Sequence, residues 1–428
     1  MGGKAALIVV IGFAFILGML TLDMSRFSTT AVSNMAKYNT MTMSHNLALA
    51  GANARMAKLY QDTSDLSSMS QTFSTGGLQG SVDVTIASAG LNRLRLRSVS
   101  SIPVTIFSSV HDTVEVFFDT KRKNSFTLFA WMTNFEGNVF WISGDTVWGK
   151  VHSNGNLHIS GSPVFMQKVT TAKNLDPPKV GSGSNKAIFK DGYETGIAEI
   201  AFPNDLSELL MASASGGRQY VGDVYVTLTP GTGANNDGWA YVRSGNVSTG
   251  PVIDSINLND ASFNGVLRAS GKVNIEGTLD GKLTVCSATN VVVQNDLYYE
   301  RNPRITPSSD DLLGLVAEQN VIVADNSANN SGCEIHGNIF ARTGSFLAEN
   351  YSSRPVATLN VLGSIVQDER GAVGQFAGST LKNGFSKRYR FDDRLNDPTF
   401  RPPYYPGYYV RTFAVANWWE SYRIMDFE

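Results

Sequence analysis

The chain has 428 residues, a formal net charge of −2, 17% charged residues and 40 glycines. That length predicts two or three units, and near-neutral charge with no broad basic face argues against nucleic acid as the main partner. Abundant glycine, sparse charge and many short Val/Ile runs point to β-structure with frequent turns, while only two cysteines, Cys286 and Cys333, exclude a disulfide-built scaffold.

The first element is residues 5–22, an apolar run without charge or proline. As a helix it spans ~27 Å at ~1.5 Å per residue, close to the ~30 Å hydrocarbon core of a bilayer. Lys4 precedes it, and Asp23 and Arg26 close it. The reading is a one-span anchor; the competing reading is a cleaved secretory signal, for which residues 23–26 are a poor cleavage context. Lys4 and the terminal amine against Arg26 and Lys37 give only a weak charge asymmetry. The side chains assigned to membrane storage and helix bundling are Ala5, Leu7, Ile8, Val9, Val10, Phe13, Phe15, Ile16, Leu17, Leu20 and Leu22. Beyond them Met24, Phe27, Ala31, Met35 and Tyr38 step by three or four, as do Leu49, Ala52, Met56 and Leu59. One long helix over about 5–60 follows, with a soft place near 39–45, where helix propensity is low. Its apolar stripe needs a partner: the protein's own globular part, or a bundle of such helices.

Residues 4–10 (Lys4-Ala5-Ala6-Leu7-Ile8-Val9-Val10) and 45–54 (His45-Asn46-Leu47-Ala48-Leu49-Ala50-Gly51-Ala52-Asn53-Ala54) resemble the N-terminal region of type IV pilin-like proteins, especially the PilX-like minor pilins. The resemblance implies that the apolar half-helix sits in the inner membrane before assembly and in a filament core afterwards. In that family a basic leader ending in Gly is removed by a prepilin peptidase, and many members carry glutamate at the fifth mature position. Here Met1-Gly2-Gly3 precede Lys4, and cleavage after Gly3 or Gly2 places Ile8 or Leu7 at that position. Neither supplies a carboxylate for a neighbour's terminal amine.

Residues 61–76 read as a linker. Residues 81–87 and 91–97 alternate as strands, with Leu94 and Leu96 toward a core and Arg93, Arg95 and Arg97 on the opposite face. That arginine row is a solvated face; phosphate or DNA binding is its competing reading. Strands at 104–107 and 113–118 complete a small pilin-like sheet over 61–124. Residues 125–250 form a β-rich region with Trp131, Trp141 and Trp148, short strands and tight corners, and 170–250 is an insertion or a second, looser β unit.

Residues 252–370 carry the clearest repeat, within a β-solenoid domain expected over 251–400. Apolar triplets begin at 273, 291, 321, 338 and 359, so they are 18, 30, 17 and 21 residues apart, with a loop at 301–311 and glycine corners between. This predicts a β-solenoid, a right-handed parallel β-helix, with an antiparallel sandwich as the alternative. Residues 312–317 also resemble β-helical heads of large pilin-like proteins of Gram-negative bacteria. Residues 401–428, with Tyr404, Tyr405, Tyr408, Tyr409, Phe413, Trp418, Trp419, Tyr422 and Phe427, read as an aromatic C-terminal cap on a solenoid end, or as a sugar-stacking patch. The predicted fold class is mainly β with one long N-terminal α-helix: a pilin-like α/β stalk plus a parallel β-helix.

No zincin motif, nucleophile elbow or pair of Cys-x-x-Cys motifs occurs, and 265–272 has the wrong spacing for a phosphate loop. His152 and His158 lie six apart, on one face of a strand, as a metal pair or as turn and surface residues. Asp310, Asp311 and Asp325 carry the hard oxygens that suit Ca²⁺, without a spacing that demands it. Glu334, Arg342 and the Asp310/Asp311 pair are the only donors for a polysaccharide-degrading β-helix enzyme. No catalytic, cofactor-binding or metal residue is therefore assigned, and no cofactor. Oxidising surroundings favour a Cys286–Cys333 disulfide, and coils ~4.8 Å apart suit its ~5.5 Å Cα separation. The 47-residue separation is nearer two coils than one, so two separate buried thiols stand beside it.

The functional expectation is a non-enzymatic structural subunit of a type IV pilus-like extracellular filament. Its partners are copies of itself or other pilin-like subunits, the inner membrane before assembly, and a surface polysaccharide or host or cell receptor. The location is the bacterial inner membrane, then the filament or cell surface. A membrane-anchored adhesin that never polymerises is the alternative.

Overall fold

The computed structural model describes residues 2–62, 65–75, 78–90, 92–105, 108–232, 238–377, 380–397 and 399–421. The chain forms two compact units, Met1–Arg122 with Val410–Glu428, and Lys123–Tyr409.

In the first unit a single helix, α1, runs unbroken over Gly2–Gln61. The soft place at 39–45 does not interrupt it. Thr40 Oγ1 donates back to the Ala36 carbonyl at 2.9 Å, the Ser44 and Ser100 hydroxyls meet at 2.8 Å, and His45 lies 3.0 Å from Asp112 and 3.2 Å from Glu420. Packing overrides weak propensity there. Ser44, Leu47, Ala48, Ala52, Arg55 and Leu59 are buried along one stripe. They face an antiparallel sheet of β1 (Met69–Thr75), β2 (Leu78–Ser88), β3 (Arg93–Thr105), β4 (Ser108–Ser125) and, beside β4, the strand Gly407–Glu420. The apolar half of the alternation, including Val82, Val84, Leu96, Val114, Val116 and Phe118, is buried beneath the helix. Gly51 sets the approach: a Cβ there would stand 2.5 Å from Val82 Cγ2 and 2.7 Å from Ser98 Oγ. Ser98 Oγ instead donates to the Ala48 carbonyl at 2.8 Å.

The linker expected over 61–76 is half strand, since β1 begins at Met69. Its remainder is tied down by buried Arg55, which donates to the carbonyls of Ser67 (3.0 Å) and Asp65 (2.7 Å). Hydrogen bonds from Ser67, ahead of the Arg55 charge, hold the Asp65 carboxyl below its usual range. The arginine row lies outward as expected, with Arg93 3.0 Å from Asp119, and Arg95 and Arg97 3.7 and 3.4 Å from Glu115. Residues 106 and 107 of the strand expected at 104–107 lie outside the described residues.

The second unit is a stack of coils joined by parallel ladders. Val273–Leu279 pairs in parallel with Val291–Tyr299, with Val273, Asn274 and Ile275 opposite Val291, Val292 and Val293. Val321–Val323 and then Phe346–Ala348 continue that column. Val273, Val291, Val321 and Phe346 are all buried, so each inward side chain sits on the one in the neighbouring coil. At the corners Asn290 Oδ1 accepts from the Asn320 backbone at 2.9 Å, and Asn320 Oδ1 accepts from Ser345 at 2.9 Å.

Two of the five triplets belong elsewhere. Asn338-Ile339-Phe340 pairs with Gly314-Leu315-Val316, and Leu359-Asn360-Val361 with Cys333-Glu334-Ile335. A coil carries several apolar strands, and spacing alone does not say which column a triplet joins.

The stack order is not the chain order. One ladder runs Arg218–Tyr220, Val266–Ala269, Lys282–Ser287, Leu312–Ala317, Cys333–Ala341 and Ala357–Glu369. It then continues into Trp131–Phe135, Val151–Ser153, Val169–Thr171 and Tyr193–Thr195. The regions expected as 125–250 and 251–400 thus share one stack, and within the stretch expected as an insertion or looser unit Val224–Thr229, which joins the stack, continues antiparallel into Trp239–Ser244 and Val252–Asn257. The chain enters mid-stack at Trp131, winds to one end, crosses over through 196–217 and winds back from the other end. The crossover is pinned by Asn154, which bonds the Ile200 backbone (2.8 and 2.9 Å), by Arg342 donating to the Asn204 carbonyl (2.6 Å), and by Asn264 donating to the carbonyls of Ala212 and Ser215 (2.8 Å each).

Where the two halves meet, Ile365 pairs with Trp131 and Arg390 with Trp148. Arg370 and Glu136, both 1% exposed, form an ion pair at 2.7 Å, and the guanidinium lies 4.1 Å over the Trp141 ring. Lys387 meets Asp145 at 2.9 Å, its pKa pushed down by burial.

The aromatic segment expected as a cap over 401–428 is divided between the units. Phe413 is buried in the first unit's core, and Tyr60 Oη donates to its carbonyl at 2.8 Å. Tyr405 and Tyr408 are buried in the second, Tyr408 5.0 Å from Phe126 and Tyr405 6.2 Å from Phe340. Tyr422 and Phe427 lie outside the described residues.

Candidate functional site

Among the described residues, no other segment covers the first two-thirds of α1. Leu7, Phe13, Phe15 and Leu22 are 61, 65, 65 and 63% exposed, and the rest of the assigned set, Ala5, Ile8, Val9, Val10, Ile16, Leu17 and Leu20, is exposed as well. Consecutive apolar residues advance about 100° per residue around a helix, so residues 5–22 have no polar side. A large side chain of this kind gains ~1.5–3 kcal/mol on leaving water, so exposure of the whole segment to water is costly, and the helix is long and apolar enough to cross a membrane. Its own polar groups are already satisfied: the backbone is helical throughout, and Thr21 Oγ1 donates to the carbonyls of Leu17 (3.0 Å) and Gly18 (2.9 Å).

The uncovered surface continues past the predicted set. Met24, Phe27, Val32, Met35 and Tyr38 are 72, 78, 67, 68 and 55% exposed. Here apolar residues form a stripe among polar ones, and the three-to-four step was its signal. A stripe reads equally well as packing on the protein's own body, which is what the next turns, from Ser44 onward, do.

The residues singled out for chemistry do not converge. His152 is buried, bonded to Thr170 Oγ1 and Asn154 Oδ1 at 2.9 Å each, and burial lowers its pKa. His158 lies on a different ladder, 2.8 Å from Asp176. Asp310 meets Arg301 at 3.1 Å, and Asp311 accepts from the Gly281 and Arg301 backbones. Asp325 accepts from Asn330 and Asn350, whose amides hold its carboxyl below the usual range. Glu334 is 2.9 Å from His336, and Arg342 Nε donates to Glu318 at 2.8 Å. Among the described residues no three His, Cys, Asp or Glu side chains gather as metal ligands.

Cys286 and Cys333 are free, buried thiols, each pushed up to about 12 by burial. Cys286 stacks between Arg268 and Val316, whereas Cys333 stacks on Leu359, so they stand at different registers of the ladder and the disulfide is not formed.

No family model and no curated protein matches the sequence. Among solved structures the chain is similar to the competence-associated pilin ComZ from Thermus thermophilus, at 12% identity and a TM-score of 0.37, over 89% of this chain and 97% of that one.

Proposed function

We propose that the chain is a non-enzymatic structural subunit of a type IV pilus-like extracellular filament. The carrying observation is the unbroken 60-residue α1, whose buried stripe begins only at Ser44 while residues 5–22 are apolar on every side. Before assembly that segment is stored in the bacterial inner membrane. On assembly it exchanges lipid for the corresponding helices of other copies or of related pilin-like subunits. The resemblance of residues 4–10 and 45–54 to PilX-like minor pilins supports the same reading. The coiled β body is then the part displayed for surface contact. Removal of residues 2–22 is expected to give a soluble monomer, read by sedimentation and electron microscopy. Filaments that persist without those residues would refute the proposal.

A further inference from the structure

Neighbouring coils align outward side chains in rows. Glu334, Asn360 and Arg388 stand in one row, and His336, Leu362, Arg390 and Trp148 in the next. Each step is ~4.8 Å, so the rows follow the stack axis. With Asn302 and Arg304 from the 301–311 loop they line a groove of about 580 Å³. The Arg390 guanidinium lies 4.1 Å over the half-buried Trp148 ring. Among the described residues Arg304, Arg388 and Arg390 have no carboxylate partner. Of the neighbouring acids, Glu334 is 2.9 Å from His336 and Asp392 is 2.6 Å from Arg394, while Asp393 borders the adjoining hollow that Arg304 and Arg390 also line. Partial burial, then the charges of Arg304 and Arg388, make the protonated form of Arg390 costlier than in water. Three crowded, unpaired guanidiniums in a concave site lack an anion, and guanidinium is the group suited to bidentate carboxylate binding.

We propose that this groove binds a linear acidic glycan, its carboxylates on Arg304, Arg388 and Arg390 and a sugar ring beside Trp148. The amides of Asn302 and Asn360 and the hydroxyl of Ser386 in the same groove match sugar hydroxyls. Nucleic acid fits less well: one aromatic ring is not a row of stacking platforms, and Glu334 places a carboxylate in the path of a dense phosphate chain. The proposal rests on the reading of the β body as the displayed part.

The test titrates full-length protein, dispersed in detergent, with polygalacturonate, dextran and duplex DNA at ~0.15 M salt. Polygalacturonate is expected to bind, dextran not, and DNA about tenfold more weakly. Arg388→Gln with Arg390→Gln should weaken polygalacturonate about tenfold or more, and Arg304→Gln, on the loop and outside the ladders, should weaken it separately. Arg95→Gln with Arg97→Gln removes the same charge from the first unit and should leave binding unchanged. The proposal is overturned by absence of polygalacturonate binding, by indifference to both the ladder and the loop substitutions, or by DNA binding as tightly through the same arginines. Binding is read on dispersed subunits and filament formation on membranes, so either idea can fail alone.

Discussion

The antiparallel sheet and the parallel stack differ in what they require from the rest of the chain. The sheet has one apolar face, and the second half of α1 covers it, with Leu47, Ala48, Ala52 and Leu59 against Val82, Val84, Leu96 and Val116. The stack covers itself, because each coil's inward residues rest on those of its neighbours. Helix and sheet therefore stand or fall together, while the coils depend on staying in register. The first half of α1 belongs to neither scheme, and its apolar side chains stay exposed.

The largest expected effect breaks the stack where its halves meet. Glu136→Ala or Arg370→Ala leaves an uncompensated buried charge and should cost about 3–5 kcal/mol in denaturant titrations followed by tryptophan fluorescence. The double variant should cost clearly less than the sum of the two. A smaller effect isolates the other scheme: Gly51→Val forces α1 away from β2 and should cost about 1–3 kcal/mol. Hydrogen exchange should show the loss in the sheet and not in the coils.

Acid offers a weaker probe of the coils. His152 and His336 have pKa values pushed below the ordinary 6.5, chiefly by burial. His336 is held neutral by accepting the Tyr299 N–H at Nδ1 (3.0 Å) while Nε2–H donates to Glu334 (2.9 Å). The unfolded chain binds protons at these rings first, so stability is full above about pH 6.5 and declines as pH falls toward the lowered folded values. The decline is about 1.4 kcal/mol per unit of pKa difference, and His152→Gln should flatten its share. The smallest effect is chemical: Cys286 and Cys333 should resist alkylation until denaturant is added, and reductant should leave the mass unchanged.

Much of this was legible in the sequence. The 5–22 run and the three-to-four steps up to Leu59 give α1, and strict alternation at 91–97 gives the direction of Leu96 and of the arginines. The valine triplets at 273, 291 and 321 reveal stacking because they share one column. The triplets at 338 and 359 mislead because each coil repeats the same composition on another face. Nothing local announces that Ile365 meets Trp131. That contact is held by partners such as Arg370 and Glu136, separated by 234 residues. The candidate surface was legible where apolar residues surround the helix and illegible from Met24 to Tyr38, where a stripe suits two kinds of partner.

The mid-stack entry has a mechanical consequence. The coils at Tyr193–Thr195 and Arg218–Tyr220, toward opposite ends of the stack, are joined to each other through the crossover, so neither of them is the end of the chain. The chain passes between the two units twice, near 123 and near 409, and tension applied through α1 is shared by two covalent leads instead of one. Within that body the two halves of the stack are clasped at its middle, where Trp131, Trp141 and the Arg370–Glu136 pair are concentrated.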